Sequence, residues 1–290
     1  MVRKTEENRC RPEFRRKGTT GVPVWAESSF PMLVFPALEQ TGLVRHGFTT
    51  RLGGVSRDHL ASLNLSFSRG DREENVRENF RRVAEYLQTE ENRFVFTDQT
   101  HTSAIRVVTE QDAGKGLTRP RDYSDVDGLV TNVPGLVLSV FTADCVPVFL
   151  LDPKNRAIGL VHSGWRGTAE KIARKAVERM GREYGTMPED LICAVGPSIC
   201  RDCYEVSSDV AEVFQKAFPG KEEKILIEKK NGKFQLDLWS CNRLVLEEAG
   251  VPTENISITD ICTCCNPDLL FSHRASHGRR GNLGAFLTLI

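Results

Sequence analysis

Three side chains that commonly bind metals lie along the middle of the chain: His101, Cys145 and His162. One thiolate and two imidazoles suit zinc, and a catalytic zinc site uses three protein ligands and keeps a fourth position open. These residues therefore form one candidate metal site. A second interpretation makes Cys145 a nucleophile and His162 its general base, with Asp144 or Asp98 orienting the base, which would give a cysteine hydrolase or acyl-transfer enzyme.

A second group of cysteines offers a different metal site. Cys200 and Cys203 form one CxxC pair, and Cys262 and Cys265 form another. Two such pairs resemble the half-sites of a structural zinc, although Cys262 follows an apolar run and a buried core position is the alternative. The nine cysteines are an odd number, and no export signal accompanies them. We interpret them as thiols or metal ligands and not as a disulfide framework.

The stretch 136–167 must position Cys145 and His162. It contains two apolar runs rich in β-branched residues, joined by a polar turn at residues 152–155. This pattern predicts two strands with a tight connection. The first strand would carry residues 142–145 in its middle, and the second would end at His162. A helical pattern follows from about residue 168 to 180.

Strand and helix patterns fill most of the remaining chain. Apolar residues at helical spacing predict a helix over about 74–87, and further helices are expected over about 208–218 and 236–248. The apolar tail 283–290 predicts a last core strand. No low-complexity linker divides the chain, which favours one compact domain of mixed α and β structure. Residues 1–22 carry many charges and few apolar side chains, and we expect a mobile leader there.

Composition argues against several classes of function. The net charge is zero, so the chain has no general attraction to nucleic acid or to anionic membranes. No apolar run approaches the roughly 18 residues of a membrane-spanning helix, and the first 20 residues do not form a secretory signal. We therefore expect a cytoplasmic protein that binds neither nucleic acid nor membrane. The motifs HExxH, GxGxxG, GxSxG and the Walker loop are absent from the sequence.

Several separate motifs, in order, resemble the laccase-domain family, which was first labelled multicopper polyphenol oxidase and is described as purine nucleoside phosphorylase. They are HGFTTR at 46–51, SLNL at 62–65, QTH at 99–101, DGL at 127–129, TADCVP at 142–147, HSGWRG at 162–167, GPSI at 196–199, CT at 262–263 and FSHR at 271–274. The resemblance covers roughly residues 32–290. It departs at 275–282, where the family continues with another Arg and ends in Thr-Gly-Arg.

The resemblance implies a fold and an activity. The fold is a single α+β domain, here over residues 23–290, with central β-sheets flanked by helices. The activity is zinc-dependent cleavage of adenosine, inosine and methylthioadenosine by phosphate, which gives the free base and the ribose 1-phosphate. Adenosine deamination is a second implied activity, and zinc deaminases use similar His and Cys ligand sets. The family's metal ligands fall on His101, Cys145 and His162.

Phosphorolysis also needs groups that hold phosphate behind C1′ of the ribose, which requires cations and oriented amides. The residues predicted to bind substrate are Arg51, Asn64, Arg166 and Arg274. Asp144 and Asp127 are candidates for proton transfer during deamination. The expected partners are thus purine nucleosides and phosphate, and no oligomeric state is predicted.

The same resemblance leaves other functions open. Copper is possible in place of zinc, because copper binds nitrogen and sulfur ligands more tightly, and a copper-dependent phenol oxidase is one alternative. The chain has six histidines, and two of them are expected to be exposed. This number is too small to bind the several copper ions of a multicopper oxidase. A peptidoglycan-editing or binding protein that uses the same pocket is another alternative.

Overall fold

The computed structural model describes residues 11–290, and within them two six-stranded sheets pack face to face. The first sheet contains, in spatial order, β1 (Val24–Trp25), β2 (Met32–Val34), β3 (Val44–Thr49), β15 (Leu283–Leu289), β7 (Val137–Thr142) and β4 (Phe94–Phe96). The second contains β14 (Ile256–Ile258), β10 (Ile192–Val195), β8 (Val146–Asp152), β9 (Ala157–Ser163), β6 (Gly128–Thr131) and β5 (Ile105–Val107). A small third sheet contains β11 (Glu205–Val206), β13 (Phe234–Leu236) and β12 (Leu226–Glu228).

Helices cover the outer faces of the two large sheets. They are α1 (Pro36–Glu39), α2 (Glu73–Leu87), α3 (Trp165–Ala169), α4 (Ile172–Tyr184), α5 (Ser208–Ala217), α6 (Glu222–Ile225) and α7 (Leu238–Glu248). α2 covers the first sheet, where the ring of Phe80 meets that of Phe94 edge-on. α4 and α7 cover the second sheet, where Met180 and Leu246 share an apolar cluster with Val148. Among the described residues no helix is both long and apolar enough to cross a membrane.

The facing sides of the two sheets form the centre of the core. Leu138 and Val140 of β7 lie in one buried cluster with Phe149 and Leu151 of β8. Alternate residues of a strand point to the same face, so the residues between them in sequence reach the helical layers instead. The resulting order of helix, sheet, sheet and helix confirms the predicted α+β domain with central sheets flanked by helices.

The strand predicted to carry residues 142–145 in its middle is in fact two strands. β7 ends at Thr142, residues 143–145 bend, and β8 starts at Val146 in the other sheet. Asp144 has a φ of 93° at this bend, and its carboxylate accepts hydrogen bonds from Thr263 Oγ1 at 2.6 Å and the Arg274 amide at 2.7 Å. β8 is fully buried and β7 is buried except at Phe141, so both strands are apolar runs and only the short stretch 143–145 separates them in the sequence.

A second crossing between the sheets lies beside the first. β4 belongs to the first sheet and β5 to the second, so the loop 97–104 that joins them also passes from one sheet to the other. His101 lies in this loop, and Cys145 lies in the bend between β7 and β8. The fold therefore brings both residues to the same edge of the two-sheet core, where β9 ends with His162 and Ser163.

Two further predictions concern the helix over about residues 168–180 and the leader over residues 1–22. The helix predicted from about residue 168 to 180 is two helices, since Lys171 between α3 and α4 has a left-handed φ of 59°. Residues 1–10 of the predicted leader, including Cys10, lie outside the described residues. Residues 11–22 run along the segment 260–266, where Arg16 forms an ion pair with Asp260 and the Arg15 amide donates to Asn266 Oδ1 at 2.8 Å.

Candidate metal centre

His162 is held in one orientation by a buried carboxylate. It ends β9 and is buried, and its Nδ1 lies 2.7 Å from Oδ1 of the fully buried Asp127. This hydrogen bond fixes the ring and leaves Nε2 as the nitrogen that can bind a metal. Burial disfavours the imidazolium, but the Cys145 thiolate and Asp127 outweigh it and raise the pKa of His162 to about 9.

The same carboxylate fixes the loop that carries His101. Asp127 Oδ2 accepts hydrogen bonds from the Thr100 amide at 3.1 Å and from the Thr102 amide at 2.8 Å, and Thr102 Oγ1 adds a third at 3.0 Å. The His101 amide donates to Oδ1 at 3.3 Å. Burial alone would raise the pKa of Asp127, but His162 and these donors keep it below its usual value. The carboxylate therefore stays ionised and holds two segments of the site at once.

The three predicted ligand residues come together at the crossing. The donor atoms of His101, Cys145 and His162 all lie within 4.8 Å of one another, and the centroids of the two imidazole rings are 5.0 Å apart. Gly164 makes room for them: a Cβ there would lie 2.5 Å from His101 Nδ1 and 3.5 Å from Cys145 Sγ. One thiolate and two imidazoles at this spacing fit a single zinc or copper ion.

The surroundings of His101 lower its pKa, whereas those of His162 raise the pKa of that residue. His101 has a left-handed φ of 65° and lies partly exposed at the mouth of the site. Burial of the ring lowers its pKa, and the positive charges of His162 and Arg166 lower it further. A neutral imidazole is the form that binds a metal, so this setting keeps His101 ready to act as a ligand.

A cavity of about 910 Å³ opens over these residues. Its walls include four aromatic side chains, Phe67, Phe96, Tyr123 and Phe141. Phe67 is 40% exposed and lies parallel to Phe80, with ring centroids 5.9 Å apart. An exposed aromatic face beside a buried one is typical of a surface that takes a flat ligand ring.

Arg280 places a cation in the same cavity, and it is half-buried. Its guanidinium donates to Asn282 Oδ1 and to the Gly281 carbonyl, while its Nε is buried without a partner. Among residues 11–290 it forms no ion pair with an acidic side chain, and neither does Arg69 on the same wall. Burial, followed by the charge of Arg69, lowers the pKa of Arg280 to about 10. Two unneutralised cations in one cavity attract an anion.

Other arginines of the cavity wall are already engaged. Arg77 pairs with Glu73 at 2.7 Å, and Arg121 pairs with Asp98 at 2.6 Å. Arg119 donates to main-chain carbonyls. Arg280, Arg69 and Arg119 are therefore the arginines of the cavity wall that have no acidic partner among residues 11–290.

Arg51 and Asn64, two of the residues predicted to bind substrate, contact other parts of the chain and do not line the cavity. Arg51 stacks on Phe271, 4.6 Å from its ring centroid, and donates to the Ala61 carbonyl at 2.7 Å. Asn64 is fully buried, and its Oδ1 accepts a hydrogen bond from the Asn282 amide at 3.1 Å. Asn64 thereby anchors the end of the segment that carries Arg280.

The other two predicted substrate residues also lie off the cavity wall. Arg274 donates to the carbonyls of Cys203 and Glu205, at 3.1 and 3.0 Å. Arg166 is exposed in α3, with its guanidinium 4.3 Å from the centroid of the Trp165 ring. Roles in substrate binding for Arg51, Asn64, Arg166 and Arg274 remain predictions.

The cavity residues that the sequence did not reveal are Arg69, Arg280, Phe67 and Phe141. Arg280 lies in the segment 275–282, in which the chain departs from the pattern of the family it resembles. The departure is thus the one sequence signal that could have pointed to it. The candidates for proton transfer, Asp127 and Asp144, are both occupied by the hydrogen bonds described above.

The chain is similar to proteins of known name along most of its length. Residues 45–290 match the family model described as multi-copper polyphenol oxidoreductase laccase. Purine nucleoside phosphorylase YlmD of Bacillus subtilis (strain 168) is 36% identical over 245 residues, 83% of this chain and 87% of that protein. Adenosine deaminase RL5, from an unknown prokaryotic organism, is 35% identical over 229 residues, 78% of this chain and 87% of that protein. The crystal structure of YlmD from Geobacillus stearothermophilus has a TM-score of 0.86 and 34% identity, and covers 92% of this chain and 99% of that one.

Replacing the carboxylate of Asp127 should weaken metal binding. Asp127→Asn keeps the size of the side chain but removes the negative charge that orients His162 and accepts hydrogen bonds from the amides of the His101 loop. Loss of such a partner typically lowers metal affinity about 10- to 100-fold. Competition between the protein and a zinc chelator measures the change. Asp209→Asn, at an exposed position of α5, should leave the affinity as it was, and an equal loss in both variants would contradict the role given to Asp127.

Proposed function

The chain belongs to the multi-copper polyphenol oxidoreductase laccase family, and we propose that it is a zinc-dependent purine nucleoside phosphorylase that also deaminates adenosine. One observation carries the proposal: a single cavity is lined by His101, Cys145 and His162, whose donor atoms lie together, and by Arg280, which has no acidic partner among residues 11–290. A metal site beside an anion site suits a reaction between a nucleoside and phosphate. The proposed substrates are adenosine, inosine and methylthioadenosine.

The aromatic walls are suited to the purine. Phe67 and Phe141 line the cavity and each keeps part of its ring accessible. Flat apolar faces stack with a purine ring and discriminate little between purines, which agrees with a set of substrates that share only this ring and a ribose. The main chain of Phe141 is fixed by Gln99, which donates to its carbonyl at 2.6 Å and accepts from its amide at 2.7 Å.

The cations are suited to phosphate. In phosphorolysis a phosphate oxygen forms a bond to C1′ as the bond from C1′ to the base nitrogen breaks, and the base leaves with a proton. The phosphate must therefore be held close to the ribose in a fixed orientation. Arg280 can donate two parallel hydrogen bonds to phosphate oxygens, as guanidinium groups commonly do. Arg69 on the same wall adds a second positive charge.

The metal ligands serve the second activity in the same cavity. A zinc ion held by His101, Cys145 and His162 would lower the pKa of a coordinated water to about 7 and so supply a nucleophile for deamination at neutral pH. In that reaction water replaces the amino group of adenine and ammonia leaves. The contribution of the chain is to hold His162 through Asp127, to hold the His101 loop through the same carboxylate, and to present the purine on the aromatic walls. Copper fits the same donors, so the metal must be defined in any assay.

Product analysis separates the proposed function from its alternatives. Protein of defined zinc content is incubated with adenosine, with and without phosphate, and the products are separated. We expect adenine and ribose 1-phosphate only with phosphate. Inosine should form in both cases, and phosphate should convert part of it to hypoxanthine. Conversion of phenols by copper-loaded protein, with adenosine left intact under every condition, would favour the oxidase instead. A lack of turnover of either substrate, with binding of peptidoglycan fragments, would favour the editing or binding protein.

Arg280→Ala should impair phosphorolysis more than deamination, because only phosphorolysis uses the anion site. A charge-assisted hydrogen bond of this kind contributes about 1.5–3 kcal/mol, or about ten- to a hundredfold in rate if it acts in the transition state. Both reactions are assayed on the folded variant while phosphate is varied. Arg279→Ala is the matched control, since Arg279 is the adjacent, exposed arginine and does not line the cavity. Equal losses in both reactions, with an unchanged dependence on phosphate, would remove Arg280 from the phosphate site.

A cysteine hydrolase is a second candidate, and the geometry gives it one specific support. Cys145, His162 and Asp127 lie in series, with the thiol beside an imidazole that a carboxylate orients. This order of nucleophile, base and orienting acid is the arrangement of enzymes that use a thiolate for attack. Asp127 takes the orienting position that the sequence suggested for Asp144 or Asp98. Asp144 points instead to Thr263 and the Arg274 amide, and Asp98 pairs with Arg121.

Alkylation of Cys145 distinguishes the two candidates. As a metal ligand, its thiolate should react slowly with iodoacetamide while zinc is bound and faster after chelation. Peptide mapping by mass spectrometry follows Cys145 separately from the other cysteines. Rapid modification of Cys145 in the zinc-loaded protein, with activity lost in step, would support the nucleophile instead.

A further inference from the structure

Four cysteines form a second cluster of metal-binding side chains, outside the cavity. Cys200 and Cys203 lie in the turn that follows β10, and Cys262 and Cys265 lie in the segment that follows β14. Their sulfur atoms are all within 4.8 Å of one another, and those of Cys203 and Cys265 are 3.4 Å apart. The proposed function uses none of them.

The fold brings the two CxxC pairs together in matching positions. β10 and β14 are parallel neighbours, and the pairing continues beyond the strands as a parallel bridge between Ser198 and Cys262. Both pairs therefore leave the same edge of the second sheet. In each pair the first cysteine is buried and the second is half-buried, so the sulfur atoms converge from two sides on one point.

We propose that Cys200, Cys203, Cys262 and Cys265 bind a zinc ion in a closed, structural site, separate from the metal site of the cavity. Four thiolates at about 2.3 Å from a tetrahedral zinc would lie about 3.8 Å apart, close to the separations in the cluster. A main-chain amide already points at the cluster, since the Cys200 amide donates to Cys262 Sγ at 3.2 Å. Lys17, which pairs with Asp202 at 3.2 Å, provides a positive charge beside it.

The remaining cysteines of the core show how unusual this cluster is. Cys193 and Cys241 are fully buried and belong to the apolar cluster under α4 and α7. Each behaves as a small apolar side chain and needs no partner. The four clustered sulfurs instead face one another, and a full set of soft ligands of this kind selects zinc over harder cations.

The proposed zinc would brace the bend that carries Cys145. Thr263, inside the second CxxC pair, donates to the Asp144 carboxylate, and the Ile199 amide, directly before the first pair, donates to the Asp144 carbonyl at 3.0 Å. Asp144 is the residue with positive φ that directly precedes Cys145. The two CxxC segments thus hold this residue from both sides, and an ion that joins them would fix its position.

Metal content per chain tests the proposal. Protein purified with zinc, without chelator, should contain about two zinc ions per chain, since each site holds one. Cys145→Ala should lose the zinc of the cavity and keep the structural zinc. Cys265→Ser should lose the structural zinc and keep the zinc of the cavity, so each variant should contain about one zinc ion per chain. The matched control is Cys264→Ser, which changes the same residue type in the same segment outside the set of four, and it should retain both ions. Cys265→Ser should also lower the melting temperature more than Cys264→Ser does.

Several outcomes would overturn the proposal. They are a zinc content unchanged by Cys265→Ser, an equal loss in Cys264→Ser, bound iron in place of zinc, or disulfides among the four cysteines on mass mapping. If Cys265→Ser does not fold, the Cys145→Ala protein loaded with cobalt(II) gives an independent readout. A tetrahedral site of four thiolates then shows intense sulfur-to-cobalt charge-transfer absorption, and its absence contradicts the site. Failure of the cavity metal instead appears as a zinc content that Cys145→Ala does not change.

Discussion

The buried carboxylate of Asp127 is the contact on which the rest of the site depends. It is fully buried, yet it stays charged because an imidazole and several loop amides surround it. One oxygen orients His162, and the other accepts hydrogen bonds from the main-chain amides on both sides of His101. A buried carboxylate without these donors would take up a proton or destabilise the fold. The charge and the loop therefore stabilise each other, and the distance between the two imidazoles follows from this one group.

The second constraint is that the chain passes twice between the two sheets at the same edge. Each crossing places a ligand residue where no strand continues, so its side chain is free to face the cavity. Residue types and family motifs were sufficient to predict the α+β class and to single out His101, Cys145 and His162, which the structure brings together. They were not sufficient to show the crossing at Cys145, because the apolar runs on either side of Asp144 have the same appearance whether they enter one sheet or two. The left-handed residue that makes the bend is an aspartate, and the hydrogen-bond partners of its carboxylate are more than a hundred positions away.

The positions of the arginines show a further limit of sequence reasoning. Arg51 and Arg274 were expected to bind an anion, and in the structure they donate to main-chain carbonyls, one of them 216 residues distant in sequence. Arg280 carries unsatisfied charge because no acidic side chain of the described chain reaches it. A guanidinium is equally suited to a carbonyl, a carboxylate or a phosphate. Which partner it takes depends on tertiary contacts, and no local pattern distinguishes Arg280 from Arg279 beside it.

The segment that carries Arg280 is joined to the domain at both of its ends. Its ends are fixed, by the Arg274 amide on Asp144 and by the Asn282 amide on Asn64, while residues 275–281 form a succession of turns between them. The donor atoms of the metal centre come from other parts of the chain. One of the two anchors, Asp144, directly precedes Cys145, so this segment and the candidate metal site share one fixed point. Exchange of the turns between the anchors would therefore change which cation faces the cavity, while both anchors and the donor atoms beside one of them stay in place.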